Sequence, residues 1–346
     1  LSKKEVNEAV AGDIVLLSGI EDANIGSTLS DPINIEPFEM LEVDEPTLCM
    51  NFIVNTSPLA GRDGKFVTSR QIRERLEKEL KSNVALRVVF CKDNDVFEVY
   101  GRGELHLTIL LENLRREGFE LAVSRPRVVF QKNEKGEVLE PYESLSVDIE
   151  DEHQGSVMEV LGLRKAELID MTSDSKGRVR LEYIIPARGL LGFQSEFLSI
   201  TRGTGLSSHI FDHYGSQKGN FAKRKNGALI SQENGHAVAF ALWKLQDRGR
   251  MFVKPGDEIY EGMIIGIHSR ENDLVVNPIK EKKLTNIRAS GKDEHIDLVN
   301  PIQLTLEKAI DFIEDDEYLE EDGLEEAMIF GDGGNEGKEA DDASKK

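Results

Sequence analysis

Ile72, Leu76 and Leu80 recur at every fourth position between residues 69 and 81, a spacing that stacks them on one face of a helix. Strand-like apolar runs surround this pattern. Residues 47–54 precede it, 84–91 and 95–100 follow, a second helical pattern opens at Gly103, and residues 119–123 close the series. The order β-α-β-β-α-β is the split βαβ unit of ferredoxin-like domains. It occurs again with a strand over 145–149, a helix over 154–164, strands over 167–171 and 179–185, a helix from Gly189 and a strand over 205–211. Arg102-Gly103-x-Leu105 opens the second helix of the first copy, which closes at Arg116-Glu117-Gly118. Arg188-Gly189-x-Leu191 opens its counterpart, which closes at Thr201-Arg202-Gly203. Such internal similarity predicts two modules of one architecture.

Beyond Tyr214 the rhythm changes. Short apolar strands over 237–242 and 263–267 are separated by turns at Pro255-Gly256-Asp257 and Glu261-Gly262, and an amphipathic helix over 305–313 follows Asn300-Pro301. This predicts a mainly β domain with a terminal helix. The fold class expected for the whole chain is α+β.

With 346 residues the chain is too long for a single core, so two to four domains are expected. No apolar run approaches the roughly 18 residues of a membrane span, and no signal peptide is evident. A soluble cytoplasmic protein without membrane contact is the expectation. Cys49 and Cys91 read as small buried apolar residues in a reducing compartment.

Roughly half of the net charge of −21 falls from Glu314 onward, in a Gly- and acid-rich segment whose later part reads as disordered. Residues 197–232 have the opposite balance. Asp212 is their only acid, while Arg202, Lys218, Lys223, Arg224 and Lys225 stand among Gly, Ser and Asn. The middle of this stretch has neither the 3.6 nor the 2 period, which predicts a long irregular loop. Cations on such a loop suit RNA phosphates, and Tyr214 or Phe221 offers a ring for an unpaired base. The plainer reading is a solvated surface loop. Lys283 and Arg288, flanking Asn286 with Lys280 and Lys282, form a second and weaker basic group. Arg102 and Arg188 suit hydrogen bonding to turn carbonyls at least as well as RNA.

Little in the chain suggests catalysis. The phosphate-binding pattern Gly-x-x-x-x-Gly-Lys-Ser/Thr does not occur; the nearest approach, Gly61-Arg62-Asp63-Gly64-Lys65, has two residues between its glycines and Phe66 in place of the hydroxyl. No nucleotide, metal or other cofactor is therefore expected in this chain. His209 and His213, four apart, lack a third ligand at recognisable spacing. Glu150-Asp151-Glu152-His153 is explained by acids complementing the dipole of the helix that follows.

Five segments in order carry a family resemblance: NTSPLAGRDGKFVTSRQIRERL (55–76), GRGELHLTILLENLRREGFELAVSRP (101–126), DEHQGSVMEVLG (151–162), RGLLGF (188–193) and KLTNIRASGKDE (283–294). The chain resembles the BipA/TypA family of ribosome-associated translational GTPases, which are related to elongation factor G. The resemblance implies the remnant of a translation-factor β-barrel over 1–43, an elongation factor G domain III-like ferredoxin-like domain over 44–128 and a domain V-like one over 129–213. A family-specific domain over 214–320 and an acidic tail over 321–346 would complete the chain. The family as a rule ends in a basic segment, so the tail departs from it. A G domain holding GTP and Mg²⁺ would lie outside this chain, which alone should be inactive. The implied function is docking at the ribosomal factor site, with a role in large-subunit assembly and in translation under stress. The implied partners are 23S rRNA, A-site tRNA and ribosomal proteins, met as a monomer through Arg202, Lys218, Lys223, Arg224, Lys225, Lys283 and Arg288. The alternative is a small-molecule-sensing or protein-interaction module, since paired ferredoxin-like domains also serve that role.

Overall fold

The computed structural model describes residues 5–20, 25–39, 45–62, 64–91, 95–174, 176–221, 224–281, 297–321 and 328–331. The first module runs β1 (Leu48–Ile53), α1 (Ser69–Leu80), β2 (Arg87–Phe90), β3 (Val96–Gly101), α2 (Glu104–Glu117) and β4 (Leu121–Ser124). Two-residue strands β5 (Arg127–Val128) and β6 (Gln131–Lys132) lead into the second: β7 (Val138–Glu150), α3 (Gln154–Leu163), β8 (Glu167–Ser173), β9 (Arg178–Pro186), α4 (Ala187–Leu190), α5 (Phe193–Ile200) and β10 (Leu206–Ser216). In both, the strands lie fourth, first, third, second across an antiparallel sheet. The mixed α+β class and the βαββαβ order expected from the apolar pattern are present in both copies.

Local chemistry explains the helix ends. Thr68 caps α1 and exchanges hydrogen bonds with Gln71 in a capping box, while Ile72 and Leu76 are fully buried. Gly118, at φ +90°, terminates α2 in the left-handed conformation. The helix expected from Gly189 to Thr201 is instead two. Arg164 sends its guanidinium to the carbonyls of Gly189 (2.7 Å) and Leu191 (2.8 Å), and Gly192 turns left-handed at φ +65° before α5 begins. A side chain at Gly189 would meet the Arg164 carbonyl at 2.7 Å, so this corner is built for close backbone approach.

The last third contains β11 (Ala228–Ser231), β12 (Gly235–His236), α6 (Ala239–Leu245), β13 (Gly249–Met251), β14 (Glu258–Ile259), β15 (Met263–His268), β16 (Leu274–Val276), α7 (Leu306–Phe312), β17 (Glu317–Glu321) and β18 (Met328–Gly331). The run 237–242, expected as a strand, enters helix α6. A six-residue apolar run fits either state, and here Ala241, Leu242 and Leu245 are buried, the two leucines in the core of Leu229, Val253 and Ile265.

The acidic end of the chain differs most from expectation. Rather than lacking fixed structure from residue 321, it carries β18, paired antiparallel to both β17 and β15. Strand β17 in turn lies antiparallel on β4, Leu319 opposite Val123. These two strands join the first module and the last third into one 11-stranded sheet. They also cover β4, which would otherwise be an open edge. Leu319 and Ile329 are buried in the core shared with Leu121, Val123, Ile264 and Ile310.

Residues 5–20 and 25–39 contain turns and bends but no strand among the described residues. Among those described residues the barrel strands expected over 1–43 are not formed. Ile14, Leu16, Ile33 and Phe38 are exposed.

Candidate nucleic-acid interface

The basic loop after β10 is fastened at both ends. The Lys218 backbone N–H donates to the fully buried Glu140 (2.5 Å), whose other oxygen accepts from Arg188 Nε at 2.6 Å. Arg188 also donates to the carbonyls of Lys218 and Gly219, as Lys165 does to those of Lys218 and Asn220. Phe221 sits under both cations, its ring centre 4.6 Å from the Arg188 guanidinium and 4.9 Å from Lys165 Nζ. Arg188 thus hydrogen-bonds carbonyls of the distant basic loop rather than those of a turn at its own helix start, and the Phe221 ring is already engaged.

Arg224 is the other fastening. Its side chain is 14% exposed, forks onto both oxygens of Glu317 at 2.6 and 2.8 Å, reaches Asp273 at 2.8 Å and lies over the Phe312 ring. Lys218 pairs with Glu167. Of the cations expected to meet RNA, Arg224 is committed within the fold, whereas the Lys218–Glu167 pair lies at the surface. The exposed ones are Lys225, 85% open with Glu196 at 3.6 Å, and Arg202, 79% open with Glu152 at 3.5 Å. Lys223, Lys283 and Arg288 lie outside the described residues.

Two other sequence candidates are resolved by geometry. Glu120, almost fully buried, accepts the backbone N–H of Gly61 at 2.7 Å and of Gly64 at 3.0 Å. Amides that a phosphate would need therefore already face a carboxylate. Glu320 extends this network, accepting from Ser57 Oγ at 2.5 Å and Tyr260 OH at 3.2 Å. A β-bulge between Phe211 and His213 breaks the spacing that would put His209 and His213 on one face. His209 meets Glu143 and His213 meets Asp212.

A charged and aromatic groove, not foreseen from the sequence, opens beside α6. Phe240, Trp243, Lys244, Arg248, Val275 and Lys280 line it together with the carboxylates of Asp247 and Glu281, leaving cations in slight excess around a volume of about 1050 Å³. Lys244, Arg248 and Lys280 are exposed. Phe240 and Trp243 stand with ring centres 6.1 Å apart, and Lys244 Nζ lies 4.4 Å over Phe240. The signal in the sequence was Phe240 and Lys244 at helical spacing, hidden while the segment was read as a strand. Phe240 is capped by Lys244 as Phe221 is by Arg188 and Lys165, whereas the neighbouring Trp243 ring, with Arg248 and Lys280 in the same groove, can hold an unpaired base and its phosphates.

The TypA/BipA C-terminal domain matches residues 226–321, which include this groove and β17. The elongation factor G C-terminus matches residues 137–225, the second module and the basic loop. A protein named large ribosomal subunit assembly factor BipA, from Salmonella typhimurium strain LT2, is 57% identical over 321 residues. The chain belongs to the BipA/TypA family. The alignment covers 92% of this chain and 53% of that relative. Proteins of the same name from Haemophilus influenzae and Buchnera aphidicola are 56% and 54% identical over 92% of the chain, covering 52% and 53% of their own lengths. This BipA/TypA chain therefore spans about half the length of the curated relatives it matches. No helix among its described residues is long and apolar enough to cross a membrane.

Proposed function

We propose that this chain docks a BipA/TypA-like translational GTPase on the ribosome, at the factor site between the subunits, in the course of large-subunit assembly. The observation that carries the reading is the groove of Phe240, Trp243, Lys244, Arg248 and Lys280, in the segment that matches the TypA/BipA C-terminal domain. Lys225 and Arg202, both exposed, would add phosphate contacts elsewhere on the chain. GTP and Mg²⁺ would act in a part of the protein carrying a phosphate-binding loop, and 23S rRNA and tRNA would be the nucleic acids met here. The relatives' printed name supports the assembly role; action under stress, a monomeric state and a cytoplasmic location belong to the same proposal.

The test replaces Lys244, Arg248 and Lys280 together with Ala. All three are exposed, so folding stability should change by no more than roughly 0.5 kcal/mol per site. Binding to large ribosomal subunits should weaken, and the slope of log K against log salt should shrink by about 2 to 3, at roughly 0.7 to 0.9 for each phosphate no longer neutralised. Unchanged affinity and slope would mean that the groove does not meet RNA.

A further inference from the structure

A separate cavity of about 520 Å³ lies where the two modules and α7 meet. Its walls are mostly hydrocarbon, from Leu48, Leu105, Leu145, Leu190, Leu191 and Phe193. Set into them are the carboxylates of Glu104 on α2, Glu143 on β7, and Glu307 and Asp311 on α7, together with His209 on β10; no Lys or Arg among the described residues lines it. We propose that this cavity binds an aliphatic ammonium ion, a diamine or polyamine whose hydrocarbon chain fills the apolar walls while its charged end meets Glu104 and Asp311.

The shape supports a ligand of that size. Small-molecule sites are typically apolar clefts of about 300 to 1,000 Å³ with a few convergent polar groups, often between modules. Charge selects the class. Glu143 is buried and answered by His209, whose imidazole its carboxylate holds charged above the usual histidine range. Glu104 is different, because it lies against a second carboxylate. Burial and then the neighbouring Asp311 push its carboxyl well above the usual range, against weaker opposition from the Gly192 N–H and from Arg125 beyond β4. Asp311 also accepts from Ser195 Oγ at 2.6 Å. Glu307, one turn earlier on α7, adds negative charge at the rim. Glu104 thus keeps a proton for want of a cation beside it, and an ammonium group entering between apolar walls would replace it. An anionic ligand is repelled by these carboxylates, and a neutral one brings no charge to replace the proton. A bare divalent ion would leave the hydrocarbon walls unused.

Linkage fixes the sign of the pH dependence. Glu104 in the folded chain binds its proton more tightly than a free carboxylate, so ammonium binding must expel that proton at neutral pH, and affinity should rise severalfold as pH climbs through its raised value. Calorimetry of the intact chain with cadaverine, in two buffers of different ionisation enthalpy, reads both the affinity and the proton released. One site with proton release near neutral pH is expected. Glu104→Gln should abolish the proton release and weaken binding about tenfold or more. Leu105→Trp, on a residue exposed at the mouth of the cavity, should block binding while leaving both carboxylates and the thermal unfolding midpoint in place. A neutral diol of the same length should bind at least tenfold more weakly. Binding that survives Leu105→Trp would show the amine on the general acidic surface and overturn the proposal. So would equal binding of the diol, or no cadaverine binding at millimolar concentration.

Discussion

A chain ending at Ile313 is expected to lose more than about 4 kcal/mol of stability relative to one that keeps β17 and β18. The truncation removes Leu319 and Ile329 from a shared core, and truncating one such buried side chain alone costs roughly 2 to 5 kcal/mol. It also uncovers β4 and one edge of β15, whose backbone groups pair with these strands. Asn55, Ser57 and Tyr260 would lose Glu320, on which all three converge. Urea denaturation followed by circular dichroism measures the difference. The single change Leu319→Ala should account for about 2 to 5 kcal/mol of it. If the shortened chain unfolds at the same urea concentration and with the same slope, the acidic strands are not part of the fold.

Replacing Arg224 with Met should cost about 3 to 5 kcal/mol, the usual loss when one partner of a buried ion pair is removed. Glu317 is buried, and the Glu314 N–H at 2.9 Å is the donor it would retain beside the lost guanidinium. The contrast with a loop cation such as Lys225 is sharp, since an exposed pair contributes at most about 1 kcal/mol. The double change Arg224→Met with Glu317→Leu should recover most of the loss, because neither charge is then left alone in the interior. Equilibrium unfolding of the two variants decides the matter. A small effect of the single change, comparable to Lys225→Ala, would mean that Arg224 is held by solvent rather than by Glu317.

What the sequence conveyed was local or repeated. Ile72, Leu76 and Leu80 mark α1 because helical periodicity is written in consecutive residues, and the two Arg-Gly-x-Leu segments align the modules because each stands at the same corner. The family resemblance also rested on contiguous segments. Long-range partners were not legible. Glu317 and Glu320 look like members of a solvated acidic run until Arg224, 93 residues earlier, and Asn55, 265 residues earlier, are seen against them. For the same reason Arg224 looked available to RNA, although the buried Glu317 holds it. The Trp243 groove was hidden differently, by a short apolar run that suits strand and helix alike. In the second module the expected long helix breaks because Arg164, distant in sequence, takes the carbonyls needed to continue it.

Docking through phosphate contacts is most directly tested by sedimenting this chain with purified large ribosomal subunits across a series of salt concentrations. Saturable binding is predicted, with log K falling linearly against log salt at a slope of about −2 or steeper, as expected for three or more phosphate contacts. Failure to bind at low salt, or binding that does not weaken as salt rises, would contradict the account.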